Sequence, residues 1–133
     1  DSVIIILAAW AKWRYTHQKE LKEEKRMVET LEFKLNDKTQ DLIELAKLND
    51  SSFITNFKDI FSEFTENIYN RYPDLINSEF WLCSMIFLNF TSKEIAQYSF
   101  VEHRSIQIRK SRLRKKLKID ANIDLYVYIR SFA

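Results

Sequence analysis

The chain has 133 residues, enough for one ordinary domain with an appended segment. It contains no Gly, one Pro and one Cys, which favours long helices with few sharp turns and excludes an internal disulfide or a site built from several thiolates. The formal net charge is +2, yet residues 103–118 carry +8, residues 1–102 carry −5 and residues 119–133 carry −1. A nearly neutral chain that concentrates positive charge in one segment is expected to meet an anionic partner there.

The single cysteine indicates the redox compartment of the chain, and the first residue indicates whether the chain is part of a longer protein. Cys83 lies among apolar neighbours that include Trp81, Leu82 and Met85, so we expect a buried, unreactive thiol and a reducing compartment. The sequence begins with Asp1 rather than Met, and we expect it to be part of a longer protein.

The first predicted element is apolar. Residues 3–11 read VIIILAAWA and are followed at once by Lys12, Trp13, Arg14 and Tyr15. This run is too short to cross a bilayer, which takes roughly 20 residues, but cations and aromatics after an apolar run are typical of the cytoplasmic end of a membrane helix. We expect residues 1–15 to be the C-terminal part of a transmembrane helix. The alternative is the apolar start of a soluble helix that packs against a partner.

Residues 16–52 carry a seven-residue apolar repeat. One position of the repeat is apolar from Leu21 to Leu42, and the position three residues later is interrupted by Glu24 and Lys38. Such a narrow seam is typical of a coiled coil. We therefore predict a homodimer that forms through the apolar seam residues Leu21, Val28, Leu31, Leu35, Leu42 and Leu45. The alternative is a single solvated helix with ion pairs four residues apart, such as Lys19–Glu23.

Residues 53–75 are predicted to form an aromatic connector helix and a linker. Apolar side chains recur there at helical spacing and form a wide face, made of Phe53, Phe57, Ile60, Phe61, Phe64, Ile68 and Tyr69. The helix is expected to end at Tyr72, because the residue before Pro73 disfavours helical torsions. Its apolar face should pack against the C-terminal domain or across a dimer interface.

Residues 76–133 are predicted to form four short helices, over about 78–89, 92–99, 102–117 and 121–132. Ser78 is the expected N-cap of the first helix, and Thr91 or Ser92 is that of the second. The packing face of the fourth helix is expected to come from Ile123, Leu125, Tyr126, Val127 and Ile129. No alternating apolar and polar run lies between turn residues, so no sheet is predicted and the fold class is all-α.

The third of these helices has two contrasting sides. Counted at about 100° per residue, Ile106, Leu113 and Leu117 form a buried stripe, with Lys110 on the same side. The opposite side carries mainly cations, an amide and a hydroxyl: Arg104, Gln107, Ile108, Ser111, Arg112 and Lys115. That side suits a DNA major groove, since Arg and Lys reach phosphates and guanine edges and Gln pairs with adenine. A short helix and a tight turn before it are typical of a helix-turn-helix.

Two sequence motifs around the basic helix resemble a known protein family. TSKEIA at residues 91–96, a short turn and the helix ending RLRKKLKI at residues 112–119 resemble the LuxR-type (GerE-like) DNA-binding domain, over about residues 76–132. With the preceding YPDL, the coiled-coil pattern and the apolar run, the chain resembles Bacteroidetes membrane-anchored transcriptional regulators. Those proteins carry extracytoplasmic tetratricopeptide repeats before the membrane helix, and these 133 residues contain no such repeat. The resemblance implies a four-helix domain whose third helix reads the major groove.

The resemblance also implies which side chains meet DNA. Lys93 falls where the family's second helix touches a backbone phosphate, and Gln107, Ile108 and Ser111 fall where side chains face bases. Several cations fall beside phosphates or outer base edges. The implied DNA-contacting set is Lys93, Arg104, Ser105, Gln107, Ile108, Arg109, Ser111, Arg112 and Lys115.

Two residues depart from the family's pattern. Glu102 stands where Ser or Thr usually caps the third helix, although its charge still favours a helix N-terminus. Lys118 replaces the family's usual glycine, so we expect this helix to lack the normal left-handed residue at its end. Phe100 fits the turn, where the family often has an apolar residue.

The sequence thus predicts a sequence-specific DNA-binding output module of a membrane-anchored bacterial transcriptional regulator, on the cytoplasmic side of the inner membrane. Its expected partners are double-stranded DNA, a second copy of the chain, the membrane and RNA polymerase. Anionic lipid or RNA are alternatives for the basic helix, and a coiled-coil adaptor that binds a protein is the alternative for the whole chain. No catalytic residue, metal or cofactor is expected, because His17 and His103 lie far apart and lack motif partners.

Overall fold

The computed structural model describes residues 2–133, and it describes the side chains of all of them except 27 and 29–35. The described residues contain helices and no strand, which confirms the all-α fold class. The helices are α1 (Ser2–Lys47), α2 (Phe53–Ile60), α3 (Ser62–Arg71), α4 (Asn77–Phe87), α5 (Ser92–Ser99), α6 (His103–Leu117) and α7 (Leu125–Arg130). The chain divides into two compact units, which we call the N-terminal unit (residues 1–38) and the C-terminal unit (residues 39–133).

The N-terminal unit consists of the first part of α1, and its described side chains are exposed. Large apolar side chains near its start, among them Ile4, Leu7 and Trp10, leave more than half of their surface uncovered. The rings of Trp13 and His17 stack with their centroids 5.1 Å apart. Within the described residues, none of the helices combines the length and the apolar character needed to cross a membrane.

Aromatic side chains from α2, α3 and α4 form the centre of the C-terminal unit. Phe57 is fully buried, and its ring centroid lies 5.8 Å from that of Phe64 and 5.7 Å from that of Phe87. Both pairs meet edge to face, an arrangement that the charge distribution of aromatic rings favours. The aromatic face predicted for residues 53–72 therefore packs against α4 within the same chain.

The aromatic segment forms two helices where the sequence predicts one. α2 and α3 are separated at Phe61, whose φ of −111° and ψ of 52° lie outside the helical region. The Thr65 hydroxyl donates to the Phe61 carbonyl at 2.8 Å, and such bonds from Thr to its own helix bend helices. The end of α3 agrees with the prediction, since Tyr72 before Pro73 is the first residue after it.

Two helices of the C-terminal unit start elsewhere than predicted. Ser78 is not the N-cap of α4, which begins one residue earlier, and the Glu79 carboxylate accepts a hydrogen bond from the Ile76 N–H at 3.0 Å. α7 is shorter than the predicted 121–132 because Asp124 caps it, accepting a hydrogen bond from the Val127 N–H at 3.1 Å. Asp is a strong N-cap residue, so it fixes the start of this helix.

α7 packs through fewer side chains than expected. Leu125 and Ile129 are buried and Tyr126 is partly buried against the core. Val127, in contrast, is 67% exposed, and Ile123 lies before the helix and is 38% exposed. Leu125 and Ile129 are four residues apart and share one side of the helix, whereas Val127 lies two residues from each and points away from that side.

The C-terminal end of α1 belongs to the core of the C-terminal unit. Leu42 is 1% exposed, Ala46 is buried, and Leu45 is partly buried against the same core. The prediction that Leu42 forms part of a seam between two copies is thereby corrected, because this side chain is covered within its own chain. For Leu45, which is only partly buried, contact with a second copy stays a prediction. At this end of α1 the seven-residue repeat serves packing inside the unit.

Candidate nucleic-acid interface

A short helix and a tight turn precede the basic helix. Thr91 caps α5: its hydroxyl accepts a hydrogen bond from the Glu94 N–H at 3.2 Å, and the Glu94 carboxylate accepts one from the Thr91 N–H at 3.0 Å. Both bonds of a capping box are therefore present. Residues 100–102 then join α5 to α6, and the Val101 N–H closes the turn by donating to the Ala96 carbonyl at 3.1 Å.

The turn places an aromatic residue in a left-handed conformation. Phe100 has φ 57° and ψ 40° and is 84% exposed. In a chain without glycine, this geometry is imposed on a residue with a Cβ, which carries an energetic cost. Its apolar ring is left uncovered by the described part of the chain.

α6 is anchored by the three aliphatic residues expected from the sequence. Ile106 is fully buried, and Leu113 and Leu117 are 2% and 1% exposed. On α5, Ile95 and Ala96 are buried as well, so the two helices are held by one apolar layer. Glu102 occupies the N-cap position of α6, but its side chain makes no capping hydrogen bond.

The end of α6 differs from the expectation. Lys118 was expected to leave the helix without a left-handed residue, yet it adopts φ 56° and ψ 46° itself. Its N–H donates to the Lys115 carbonyl at 3.2 Å, and the next N–H, of Ile119, donates to the Arg114 carbonyl at 3.2 Å. The bonds that a glycine usually supports at a helix C-terminus are therefore formed with lysine in its place.

The ammonium group of Lys110 is hydrogen-bonded within the C-terminal unit. It donates to the Ser92 hydroxyl at 2.7 Å and to the Tyr126 hydroxyl, and it lies 4.5 Å from the centre of the Tyr126 ring. The Tyr126 hydroxyl in turn donates to the Phe90 carbonyl at 2.5 Å. Burial lowers the pKa of Lys110. These bonds tie α6 to α5 and α7, so Lys110 is a packing residue.

Two more cations of α6 are bonded within the unit. Lys116 donates to the Glu79 carboxylate at 2.5 Å and to the Asp74 carbonyl at 3.1 Å. The hydrogen bond to Glu79 raises the pKa of Lys116. Arg114 donates to the Asp120 carbonyl at 2.8 Å. The basic run therefore divides into residues that hold the fold and residues that remain available to a ligand.

The residues expected to meet DNA are mostly exposed. Only Ser105 is partly buried. Among the described residues, no side-chain hydrogen bond or ion pair engages any member of the exposed set, which comprises Lys93, Arg104, Gln107, Ile108, Arg109, Ser111, Arg112 and Lys115.

The exposed residues of α6 follow its geometry. Arg104, Ile108, Ser111 and Lys115 are spaced by four, three and four residues, so they form one stripe opposite the buried aliphatic stripe. At 1.5 Å per residue this stripe is about 16 Å long. An α-helix presenting such a stripe has the dimensions of a major-groove ligand.

Arg109 and Arg112 lie to one side of that stripe. They line a cleft of about 380 Å³ between the start of α4 and α6, together with Ser78, Glu79 and other side chains. The Glu79 charge in this cleft is matched by Lys116. The two guanidinium groups therefore leave the cleft positive, and guanidinium is well suited to phosphate.

The seam residues of α1 fall into three groups. Leu21 and Val28 are about half exposed, at 51% and 52%. Leu31 and Leu35 lie outside the residues whose side chains the structure describes. Leu42 is in the core of the C-terminal unit, and Leu45 is partly buried against that core. Of the predicted seam residues, only Leu42 is withdrawn as a candidate for contact with a second copy.

The described residues contain no group of His, Cys, Asp or Glu that could hold a metal ion. Cys83 is fully buried, and burial raises the pKa of its thiol to about 12. His17 and His103 lie in different units. Comparison of the chain with protein-family models, curated proteins and solved structures finds no match.

Proposed function

We propose that the C-terminal unit is a sequence-specific, LuxR-type helix-turn-helix that binds double-stranded DNA. In this proposal α6 enters the major groove, and α5 with Lys93 lies across the backbone. The observation that carries it is the division of cations on α6. Lys110, Arg114 and Lys116 are bonded within the unit, while the side chains of Arg104, Arg112 and Lys115 are exposed and have no partner in the described chain.

The proposal extends to the whole chain as the output module of a membrane-anchored bacterial transcriptional regulator. The exposed Trp10 and Trp13, next to Lys12 and Arg14, fit the boundary between hydrocarbon and water. Leu21 and Val28 are exposed apolar residues of the seven-residue repeat and support a homodimer through a coiled coil. Two linked DNA-binding units would bind paired half-sites more tightly than one, and the regulator would act on RNA polymerase.

A coiled-coil adaptor that binds a protein is the second candidate. It is favoured by Phe100, which is 84% exposed, and by Val127, which is 67% exposed. Exposed aromatic and aliphatic side chains of this kind serve as anchors in protein interfaces. The cations on α6 weigh against it, because charged residues are depleted at the centre of protein interfaces.

The experiment is selection of binding sites from a random double-stranded DNA pool by the full chain. We expect an enriched motif. Gln107→Ala should relax the preference at one base pair, with a loss of about 5- to 150-fold for the preferred base. Lys115→Ala should weaken binding to all sequences alike, and Lys47→Ala, an exposed cation of α1, should have no effect. A pool that shows no enrichment, with the chain folded, would favour the adaptor.

A further inference from the structure

The centre of the exposed α6 stripe is an aliphatic side chain. Ile108 is 42% exposed, and on the stripe it lies between Arg104, four residues before it, and Ser111 and Lys115 after it. The remaining aliphatic residues of this helix, Ile106, Leu113 and Leu117, are buried. A β-branched residue is a weaker helix former than Lys, Arg or Ala. Within the described chain, Ile108 therefore keeps a large part of its side chain uncovered and adds no helix stability at this position.

The neighbours of Ile108 restrict what could cover it. A flat apolar surface that covered Ile108 would also desolvate the Arg104, Arg112 and Lys115 charges around it, at a large cost. The required ligand is one with a small apolar group surrounded by anionic groups. The DNA major groove has this chemistry, because the 5-methyl group of thymine is its apolar feature and phosphates line its edges.

We infer that Ile108 is a specificity-determining residue that reads the 5-methyl group of a thymine at the centre of each half-site. This inference rests on the proposed function and deepens it. The Ser111 hydroxyl, three residues further along the stripe, can bond to a neighbouring base edge, and Gln107, also exposed, can pair with an adenine. The core of the half-site under α6 is accordingly an A·T-containing step.

The test replaces single thymines of the selected site with uracil, which removes the methyl group and keeps the base pairing. Binding of the full chain to each substituted duplex is measured by fluorescence anisotropy. At one position we expect a loss of about fourfold, the change that corresponds to the burial of one methyl-sized group. Ile108→Ala should bind the unmodified site about fourfold more weakly and should be insensitive to uracil at that position. Ile108→Val, which keeps a branched aliphatic group, should retain the sensitivity.

The controls separate this inference from the proposed function. Val127→Ala removes an exposed aliphatic side chain on α7 and should leave the uracil effect intact. If the wild-type chain selects a site but tolerates uracil everywhere, or if Ile108→Ala keeps the uracil effect, the assignment to Ile108 is overturned while DNA binding stands. A chain that selects no DNA sequence overturns the proposed function and this inference with it.

Discussion

At the scale of single residues, the chain makes its left-handed backbone positions without glycine. Within the part of the chain that the structure describes, the residues with positive φ are Asn49, Asn89, Phe100 and Lys118. Asn tolerates this conformation because its short side chain bonds locally, whereas Phe and Lys do not have that compensation. The absence of Gly favoured a prediction of few such turns, but backbone hydrogen bonding at the ends of α5 and α6 overrides the preference of the side chain. This could not be predicted from composition.

Lys118→Gly should therefore stabilise the C-terminal unit. Relief of the left-handed strain outweighs the extra flexibility of glycine in the unfolded chain, for a net gain of about 0.5–1 kcal/mol in the free energy of unfolding. Urea denaturation measures it. Lys118→Ala is the matched control, because it removes the same charge and keeps the Cβ. Equal stabilities of the Gly and Ala variants would show that Lys118 is not strained.

Cys83 makes stability depend on alkaline pH. Burial raises the pKa of this thiol from 9.0 to about 12, so between those values the folded state keeps a proton that the unfolded state has lost. The contribution is complete below pH 9 and decreases as pH rises towards 12. We expect the free energy of unfolding of the wild type to fall by about 1 kcal/mol by pH 10.

Cys83→Val removes this titration and keeps a small apolar side chain. Burial and the hydrogen bond to Tyr128 also raise the pKa of Tyr72 to about 12, from a higher starting value of 10.0. The variant should therefore begin to lose stability about one pH unit later than the wild type. Denaturation curves at pH 8 to 11 give the free energy of unfolding of both proteins. If this free energy changes with pH in the same way for the wild type and for Cys83→Val, Cys83 is not the origin of the pH dependence.

At the scale of helices, α6 shows what a periodic pattern can and cannot predict. Counting residues around the helix correctly places Ile106, Leu113 and Leu117 in the core. It does not identify the partners of Lys110 and Lys116, because those partners are 16 to 42 residues away in sequence. The helix boundaries from 77 to 117 agree with the prediction to within a residue at most ends. At the start of α5 the reason is the Thr91 cap, a signal that is local in the sequence.

Lys110→Met should lower the free energy of unfolding by about 1–3 kcal/mol, because the Tyr126 and Ser92 hydroxyls lose a charged donor in a partly buried setting. Lys115→Met is the matched control on the same helix, and its exposed side chain should have no measurable effect on stability. Thermal denaturation compares the two. A similar small effect from both would mean that the Lys110 bonds contribute nothing to the fold.

At the scale of the whole chain, the sequence predicts the fold class and the basic face, but it misplaces the end of the coiled-coil pattern. Leu42 continues the repeat of Leu21 and Val28, and nothing local distinguishes a seam between copies from a stripe that packs on the same chain. In the folded chain, Leu42 belongs to the same buried apolar cluster as the aromatic residues of α2, α3 and α4, so it packs within its own chain. The coiled-coil dimer remains a prediction for the other seam residues of α1.

Leu42 and Leu21 should consequently respond differently to truncation. Leu42→Ala leaves a cavity in the core and should cost about 2–5 kcal/mol in the free energy of unfolding of the C-terminal unit. Leu21→Ala should leave that unfolding unchanged and weaken self-association instead. Chemical denaturation and sedimentation equilibrium measure the two effects. A Leu42→Ala variant that unfolds like the wild type would refute the intrachain packing of this end of α1.

The salt dependence of DNA binding tests the central claim most directly. The selected site is titrated with the full chain at several salt concentrations, alongside a variant in which Arg104, Arg112 and Lys115 are replaced by Gln. The logarithm of the association constant decreases linearly with the logarithm of the salt concentration. If these three residues contact phosphates, the steepness of this decrease should be smaller in the variant than in the wild type by about three per bound subunit. Replacing Lys19, Lys22 and Lys25 of the N-terminal unit by Gln changes the net charge equally and should leave the slope unchanged. Equal slopes for the wild type and the α6 variant would contradict the assignment of α6 as the DNA-binding helix.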